Sequence, residues 1–190
     1  MFLCTSLIAS PSIGEKAPEI DAKTTHGDNF TLNKYRGKII VLEWTNIGCP
    51  FVKKHYNSNN MQNLQKKYTG KGIVWIRIIS SGKNKQGYFK SAAESKHWSK
   101  THNVHATDTI LDPSGEIGRL YHVKTTPEMY IINQKGILVY QGAIDSIPTT
   151  KAVNIKHAKN FVAEALDQLL KNKKITIPQT KPYGCSVKYA

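Results

Sequence analysis

The feature that most constrains the fold is a strand that runs into a helix through a cysteine and a proline. Residues 38–44 predict a strand buried on both faces. Gly48 permits a tight turn after it. Pro50 suits the first helical position, where its missing N–H would have no partner. Cys49 is therefore predicted at the N-cap, with its sulfur over the free N–H groups of the first turn.

This placement favours a reactive cysteine over a structural one. A lone cysteine is usually a small buried hydrophobe. At this junction the positive end of the helix dipole and the nearby Lys53 and Lys54 favour a thiolate. The thiolate is the nucleophilic form of cysteine, so we predict that Cys49 carries the chemistry.

Composition describes one globular domain and argues against several classes of function. The chain has 190 residues, of which 39% are hydrophobic, and no apolar run long enough to span a membrane. Its net charge of +14 could attract nucleic acid, but the lysines are dispersed and no nucleic-acid motif accompanies them. Three cysteines without a C-x-x-C pair argue against a metal site.

The chain divides into three predicted segments. Residues 1–13 are a targeting remnant or a disordered N-terminus, residues 14–174 form the domain, and residues 175–190 form a tail. The apolar run at residues 1–10 resembles the end of a secretory signal, although it lacks a basic n-region. We therefore expect a periplasmic or exported protein, with a cytoplasmic location as the alternative.

Strands alternate with helices through the domain, which predicts an α/β layered fold. A small N-terminal hairpin near residues 28–32 should cover a sheet edge. The remaining elements are predicted as a helix at 50–68, a strand at 73–79, a helix at 88–102, a strand at 109–112, a helical turn at 115–122, a hairpin at 128–140 and a helix at 154–172. This order is that of a thioredoxin-like fold, with a central mixed β-sheet flanked by helices.

A proline far from Cys49 in sequence belongs to the same predicted site. In the thioredoxin plan the proline that precedes the hairpin is cis and lies against the nucleophile, which here is Pro127 after Thr126. The alternative is a trans proline that starts a strand. Trp44, Pro50, Thr126 and Pro127 are the predicted substrate-binding residues.

Three polar residues precede Cys49 and are candidates for a catalytic role. A carboxyl group buried at Glu43 would have a raised pKa and could relay a proton to the thiol. Alternatively, Glu43 lies at the sheet edge and pairs with a lysine. Thr45 and Asn46 could hydrogen-bond the sulfur or a bound oxygen, or could only shape the turn.

The tail carries a second cysteine, Cys185, and is expected to be mobile enough to bring it to another thiol. We predict that Cys185 is a resolving partner, with an incidental free cysteine as the alternative. Arg77 or Arg119 could approach the thiolate, although surface placement is favoured for Arg119. His55 and the other histidines singled out are predicted to lie at the surface, at positions 97, 102, 105 and 122.

The segments 42–56, 124–132, 142–145 and 182–189 together resemble a known family. They are similar to bacterial peroxiredoxin-like proteins, grouped with the alkyl hydroperoxide reductase and thiol-specific antioxidant (redoxin) proteins of the thioredoxin superfamily. The resemblance implies a thioredoxin fold, Cys49 as nucleophile and Cys185 as its possible partner. It also implies thiol oxidoreductase or peroxidase chemistry with no metal or organic cofactor.

The chain departs from these patterns near the nucleophile. Val52 stands where the C-x-x-C pattern has its second cysteine. Asn46 stands where peroxiredoxins carry a threonine, and no arginine lies near Thr126 and Pro127. The peroxide-activating residues are therefore not reproduced one by one.

The leading prediction is a thiol peroxidase. Cys49 would reduce a hydroperoxide, Cys185 or another thiol would resolve the sulfenic acid, and a thioredoxin-like protein or small thiol would restore the dithiol. A homodimer is possible. The rivals are a thiol–disulfide oxidoreductase acting on protein disulfides and a non-catalytic thioredoxin-fold binding module; nucleic acid is not an expected partner.

Overall fold

The computed structural model describes residues 11–190, so Cys4 and the predicted targeting run at residues 1–10 lie outside the described residues. In chain order its strands and helices are β1 (Asp21–Lys23), β2 (Asn29–Thr31), β3 (Ile40–Trp44), α1 (Pro50–Asn57), α2 (Asn60–Thr69), β4 (Val74–Ile79), α3 (Ala92–Thr101), β5 (Asp108–Leu111), α4 (Glu116–Leu120), β6 (Thr125–Thr126), β7 (Glu128–Ile132), β8 (Leu138–Gly142), α5 (Phe161–Leu170) and β9 (Cys185–Ser186). Short 3-10 helices also occur at Asn33–Tyr35 and Ala152–His157.

The central sheet is mixed, as predicted. Its strand order is β5-β4-β3-β7-β8. Strands β3, β4 and β5 run parallel to one another, whereas β7 is antiparallel to both β3 and β8. The fold is thioredoxin-like, with helices packed against the sheet.

Strand β3 lies at the middle of the sheet, and this position explains its continuous burial. All five of its residues are buried. Val41 belongs to the apolar cluster that includes residues of α1, α2 and α5. Leu42 and Trp44 belong to the opposite cluster, which includes Phe30 of β2 and Tyr121 after α4. Because side chains alternate along a strand, a centre strand needs apolar residues on both faces.

The N-terminal hairpin covers a sheet edge, as predicted. Strands β1 and β2 pair antiparallel. The backbone N–H of Thr25 then donates to the carbonyl of Thr109 on β5 at 2.8 Å. The hairpin therefore occupies the outer side of edge strand β5.

Three predicted helices are shorter than expected, for local reasons. The helix predicted at 50–68 is interrupted at Asn59, which adopts a left-handed φ of 59° and separates α1 from α2. The Ser91 hydroxyl accepts from the Glu94 N–H, so α3 begins at residue 92 instead of 88. Asn160 caps α5 in the same way, and the preceding residues form the separate 3-10 helix.

The tail is paired with the rest of the fold, contrary to the expectation that Cys185 lies on a mobile tail. Strand β9 pairs antiparallel with β6, the two residues that precede Pro127. Further along the tail, the Gly82 N–H donates to the carbonyl of Lys188 at 2.7 Å. The tail therefore lies against the segments that follow β4 and precede β7, close to the predicted site.

Candidate active site

Cys49 occupies the N-cap of α1, and Pro50 is the first helical residue, as predicted. The Cys49 side chain is 0% exposed. Its sulfur makes no capping hydrogen bond to the first-turn N–H groups of α1, over which it was predicted to lie. The thiol instead donates to the backbone carbonyl of Thr126, with Sγ and O 3.1 Å apart.

The peptide bond between Thr126 and Pro127 is cis, as predicted. Register places it beside Cys49, because Trp44 at the end of β3 pairs with Glu128 at the start of β7. The residues just before Glu128 therefore face the turn that carries Cys49. Pro127 is itself buried, and Pro50 is exposed.

Cys185 reaches the same point from the tail. It pairs in register with Thr126, whose carbonyl accepts the Cys49 thiol. Gly184 makes this approach possible, because its φ is +155° and an added Cβ would overlap the Thr126 oxygen. The structure thus brings both cysteines and the cis peptide together, and both thiols are free.

The surroundings of Cys185 keep it protonated. Burial raises the pKa of its thiol to about 11, and a hydrogen bond and charge interaction with Cys49 act in the same direction. The charge of Lys188 and the backbone N–H of Phe51 oppose this rise in pKa.

Lys54 is not a free cation beside the thiol, contrary to the sequence argument. Its ammonium lies 3.0 Å from Asp145 Oδ2, and it also donates to the Ile147 carbonyl at 2.9 Å. Both side chains are buried, at 0% and 2% exposure. Its charge is therefore matched by a carboxylate, while Lys53 remains exposed.

The surface position predicted for His55 is wrong. Its side chain is fully buried, and its Nδ1 lies 2.8 Å from the Asn60 amide nitrogen. Burial lowers the pKa of His55 to about 4, although the charge of Asp145 opposes this and that of Lys54 reinforces it. His55 is therefore neutral at physiological pH.

Glu43 lies at the centre of the sheet, so its alternative placement at a sheet edge beside a lysine is wrong. Its carboxylate accepts hydrogen bonds from the Tyr56 hydroxyl at 2.7 Å, Trp75 Nε1 at 2.7 Å and the Gln65 amide at 2.9 Å. These bonds connect β3 to α1, β4 and α2. A role in relaying a proton stays a prediction.

The two arginines have partners other than Cys49. Arg77 is fully buried, with its guanidinium 4.8 Å from the ring centre of Trp98 and its Nη1 3.0 Å from the Ser99 hydroxyl. Arg119 lies 4.7 Å from the ring centre of Tyr189 in the tail. Within residues 11–190, the contacts found for both guanidinium groups are with groups other than the Cys49 sulfur.

The residues that precede Cys49 shape the turn. Asn46 accepts from the Gly48 N–H and donates to the Gln86 carbonyl, both at 2.8 Å. The hydroxyls of Thr45 and Thr126 are buried and have no hydrogen-bond partner among the described residues. Their interaction with a bound oxygen stays a prediction.

Trp44 lies in the core and supports the end of β3. Its side chain is 0% exposed and packs 5.1 Å, between ring centres, from both Tyr121 and Tyr130. Its Nε1 donates to the Ser80 hydroxyl at 3.1 Å. In this structure it presents no surface to a substrate.

Sequence reasoning missed Asp145, Tyr183 and Gly184. Asp145 and Tyr183 share a buried contact with Lys54, and Gly184 allows the tail to approach. All three lie in the segments that carried the family resemblance. That clustering was the signal that could have found them.

Within residues 11–190, no group of three or more His, Cys, Asp or Glu side chains is arranged to hold a metal ion. In the same range, no helix has the length and apolar character needed to cross a bilayer.

Comparisons with known proteins agree with this architecture. The model of the AhpC/TSA family matches residues 13–141. The thioredoxin-like protein YneN of Bacillus subtilis is 26% identical over 126 residues, which cover 66% of this chain and 68% of that protein. Sporulation thiol-disulfide oxidoreductase A of the same organism is 24% identical over 136 residues, covering 64% and 71%.

A solved structure extends the likeness of fold to most of the chain. A hypothetical protein from Sinorhizobium meliloti superimposes with a TM-score of 0.77 at 19% sequence identity. The match covers 96% of this chain and 97% of that one. At this identity the likeness is one of fold.

Proposed function

Because the chain belongs to the AhpC/TSA family, an oxidoreductase family of the thioredoxin superfamily, we propose that it is a thiol–disulfide oxidoreductase whose redox couple is Cys49 and Cys185. The observation that carries the proposal is the pairing of Cys185 with Thr126, whose carbonyl accepts the Cys49 thiol. The similarity to sporulation thiol-disulfide oxidoreductase A supports it. Because both cysteines lie on one chain, resolution can occur in cis.

The reduced protein would transfer two electrons to a substrate disulfide. The Cys49 thiolate attacks one substrate sulfur, a mixed disulfide forms, and the first substrate thiol leaves with a proton. Cys185 then loses its proton and attacks the Cys49 sulfur. The Cys49–Cys185 disulfide forms as the bond to the substrate breaks, and the second substrate thiol leaves. A thioredoxin-like protein or small thiol would reverse the change in the protein.

A high pKa at Cys185 suits the order of these steps. With its thiol protonated, Cys185 is a weak nucleophile and does not compete with Cys49 for the substrate. It becomes the attacking group once Cys49 is held in a mixed disulfide beside it. This order assigns Cys49 as nucleophile and Cys185 as resolving thiol.

A hydroperoxide is the second candidate substrate, favoured by two buried hydroxyls on the chain segments next to Cys49. Thr45 and Thr126 have unused hydroxyl groups that suit an oxygen-containing ligand. The Cys49 sulfur would attack the O–O bond, an alcohol or water would leave, and Cys185 would displace water from the sulfenic acid. The placement of Arg77 and Arg119 beside other partners weighs against this substrate.

Export remains part of the proposal. A dithiol–disulfide couple fits an oxidising compartment, where disulfides form and persist. Fractionation of expressing cells would test it, and recovery of the unprocessed chain in the cytosol would contradict it.

Mass spectrometry of the oxidised chain tests the redox couple. After oxidation by one equivalent of a disulfide, we expect the protein to lose two hydrogen atoms and peptide mapping to show a Cys49–Cys185 bond. Cys49→Ser and Cys185→Ser should each abolish this bond, and Cys4→Ser should retain it as the matched control. A bond that includes Cys4, or none at all, would overturn the proposal.

The same variants separate the two substrates. Oxidation rates are compared with hydrogen peroxide and with a model protein disulfide at equal concentration. We expect the disulfide to oxidise the pair faster. Faster Cys49-dependent consumption of peroxide would assign the peroxidase instead.

A further inference from the structure

Residues 183–186 form a strap over the nucleophile. The Tyr183 ring meets that of Phe51 edge-on, with ring centres 5.8 Å apart. Gly184 lies against the Thr126 carbonyl, and Cys185 packs against the apolar cluster that contains Cys49. With the strap in place the Cys49 side chain is 0% exposed. A reactant therefore reaches the sulfur only when a covering segment moves, and the strap is a segment that packs beside it.

The backbone pairing of the strap is short. Strands β6 and β9 contribute two residues each. The next backbone bond, from the Val187 N–H to the Lys124 carbonyl, is long at 3.3 Å. A small two-stranded ladder is marginally stable in water. Side-chain contacts must therefore supply much of the free energy that keeps the strap in place.

Tyr183 supplies such a contact by inserting its hydroxyl into the buried ion pair of Lys54 and Asp145. The Tyr183 hydroxyl donates to Asp145 Oδ1 and accepts from the Lys54 ammonium at 3.2 Å. Lys54 donates also to Asp145 and to the Ile147 carbonyl. Every N–H of the ammonium thus has an acceptor, and one of these acceptors belongs to the strap.

The Tyr183 hydroxyl stays protonated, and its contact is made to the helix that follows Cys49. Burial raises the pKa of Tyr183 far above its ordinary value, and hydrogen bonding to Asp145 and the charge of that carboxylate add to the rise. The hydroxyl therefore keeps the proton that it donates wherever thiols react. Lys54 lies on α1, the helix that Cys49 caps, so the contact fastens the strap to the helix of the nucleophile.

We propose that Tyr183 is a positioning residue that latches the strap over Cys49 through the Lys54–Asp145 ion pair, and that opening of this latch controls access to the Cys49 sulfur. The proposal rests on the assignment of Cys49 as the nucleophile. It adds that a substrate must displace the strap, a segment of the same chain, before it reaches the Cys49 sulfur. The latch also holds Cys185 at the place where it resolves the mixed disulfide.

Alkylation of Cys49 measures the open fraction. The full-length Cys185→Ser chain is treated with iodoacetamide, and peptide mapping separates Cys49 from Cys4. When opening and closing are fast, the labelling rate is proportional to the open population. Adding Tyr183→Phe removes a hydrogen bond to a charged group, and we expect Cys49 labelling to accelerate about tenfold.

The chain offers a matched control in Tyr68→Phe. The Tyr68 hydroxyl donates to Asp167 at 3.0 Å, and Lys67 lies 3.0 Å from the same carboxylate. This triad has the same side-chain types, but it joins α2 to α5 and does not touch the strap. In the Cys185→Ser chain, Tyr68→Phe should leave the labelling rate of Cys49 unchanged.

The outcomes distinguish a latch from a structural contact. Acceleration confined to Tyr183→Phe supports the latch. Equal acceleration in both tyrosine variants indicates general loosening of the fold and overturns it, as does unchanged labelling in Tyr183→Phe. Because these chains lack Cys185, the result does not depend on whether wild type forms the Cys49–Cys185 disulfide.

Discussion

Mild acid should destabilise this protein through one buried histidine. The His55 side chain is fully buried, and its Nδ1 accepts a hydrogen bond from the Asn60 amide. Burial lowers its pKa from 6.5 to about 4; the charge of Asp145 opposes this shift and that of Lys54 reinforces it. In the unfolded chain these influences are absent, so His55 there takes up a proton near its ordinary pKa.

The direction of the effect follows from proton binding. Above pH 6.5 the histidine is neutral in both states and contributes no pH dependence. Between 6.5 and about 4 the unfolded chain binds a proton that the folded chain does not, so stability falls as the pH falls. Below about 4 both states are protonated and the loss reaches its limit.

The size of the loss follows from the two pKa values. The gap between 6.5 and about 4 corresponds to a total of about 3 kcal/mol. Near pH 5 the unfolded histidine is almost fully protonated and the folded one almost neutral. The free energy of unfolding should therefore change there by about 1.2 kcal/mol per pH unit on account of His55.

Urea unfolding at a series of pH values, followed by tryptophan fluorescence, measures this slope. Between the two pKa values, the unfolded state of wild type binds about one proton more than the folded state because of His55. We expect His55→Gln to lack this difference, so that its free energy of unfolding depends less steeply on pH. The exposed His97, substituted by Gln, serves as control and should leave the slope as in wild type. Identical slopes in wild type and His55→Gln would refute the reasoning.

Two further substitutions test the site. Gly184→Ala places a Cβ against a backbone oxygen, and we expect formation of the Cys49–Cys185 disulfide to slow about tenfold, as measured by quenched alkylation. Gly14→Ala also has a positive φ, but open surroundings, so the rate of disulfide formation should not change. Glu43→Gln disrupts an acceptor of three hydrogen bonds and should lower the free energy of unfolding by about 2 kcal/mol in urea titrations; a wild-type value would contradict that role.

The order of strands and helices was predictable because its signals are local. Strand β3 follows from a short stretch of mostly apolar residues, and the hairpin of β7 and β8 follows from the turn at residues 133–136. The interruption at Asn59 was missed because asparagine tolerates the left-handed conformation without an obvious breaker. The sequence analysis therefore predicted one helix where the structure has two.

The fate of the charged side chains was not predictable in the same way. On α1, Lys54 was predicted as a cation near the thiol and His55 as a surface residue, yet both are buried. Their burial depends on Asp145, which is distant in sequence and lies after β8. A buried charge is tolerated only beside a partner, and the partner is known only once the chain has folded.

The sequence by itself determined that Cys49 lies between a buried strand and a helix, because Gly48, Pro50 and strand β3 set that junction through backbone preferences of a few neighbouring residues. It also indicated the cis bond before Pro127 through the order of the elements. Only the tertiary structure decided that Cys185 stands beside Cys49. That meeting depends on the close approach of Gly184 to a distant carbonyl and on the hydrogen bond of Tyr183 to a buried ion pair. Such contacts are properties of packing, which sequence spacing does not encode.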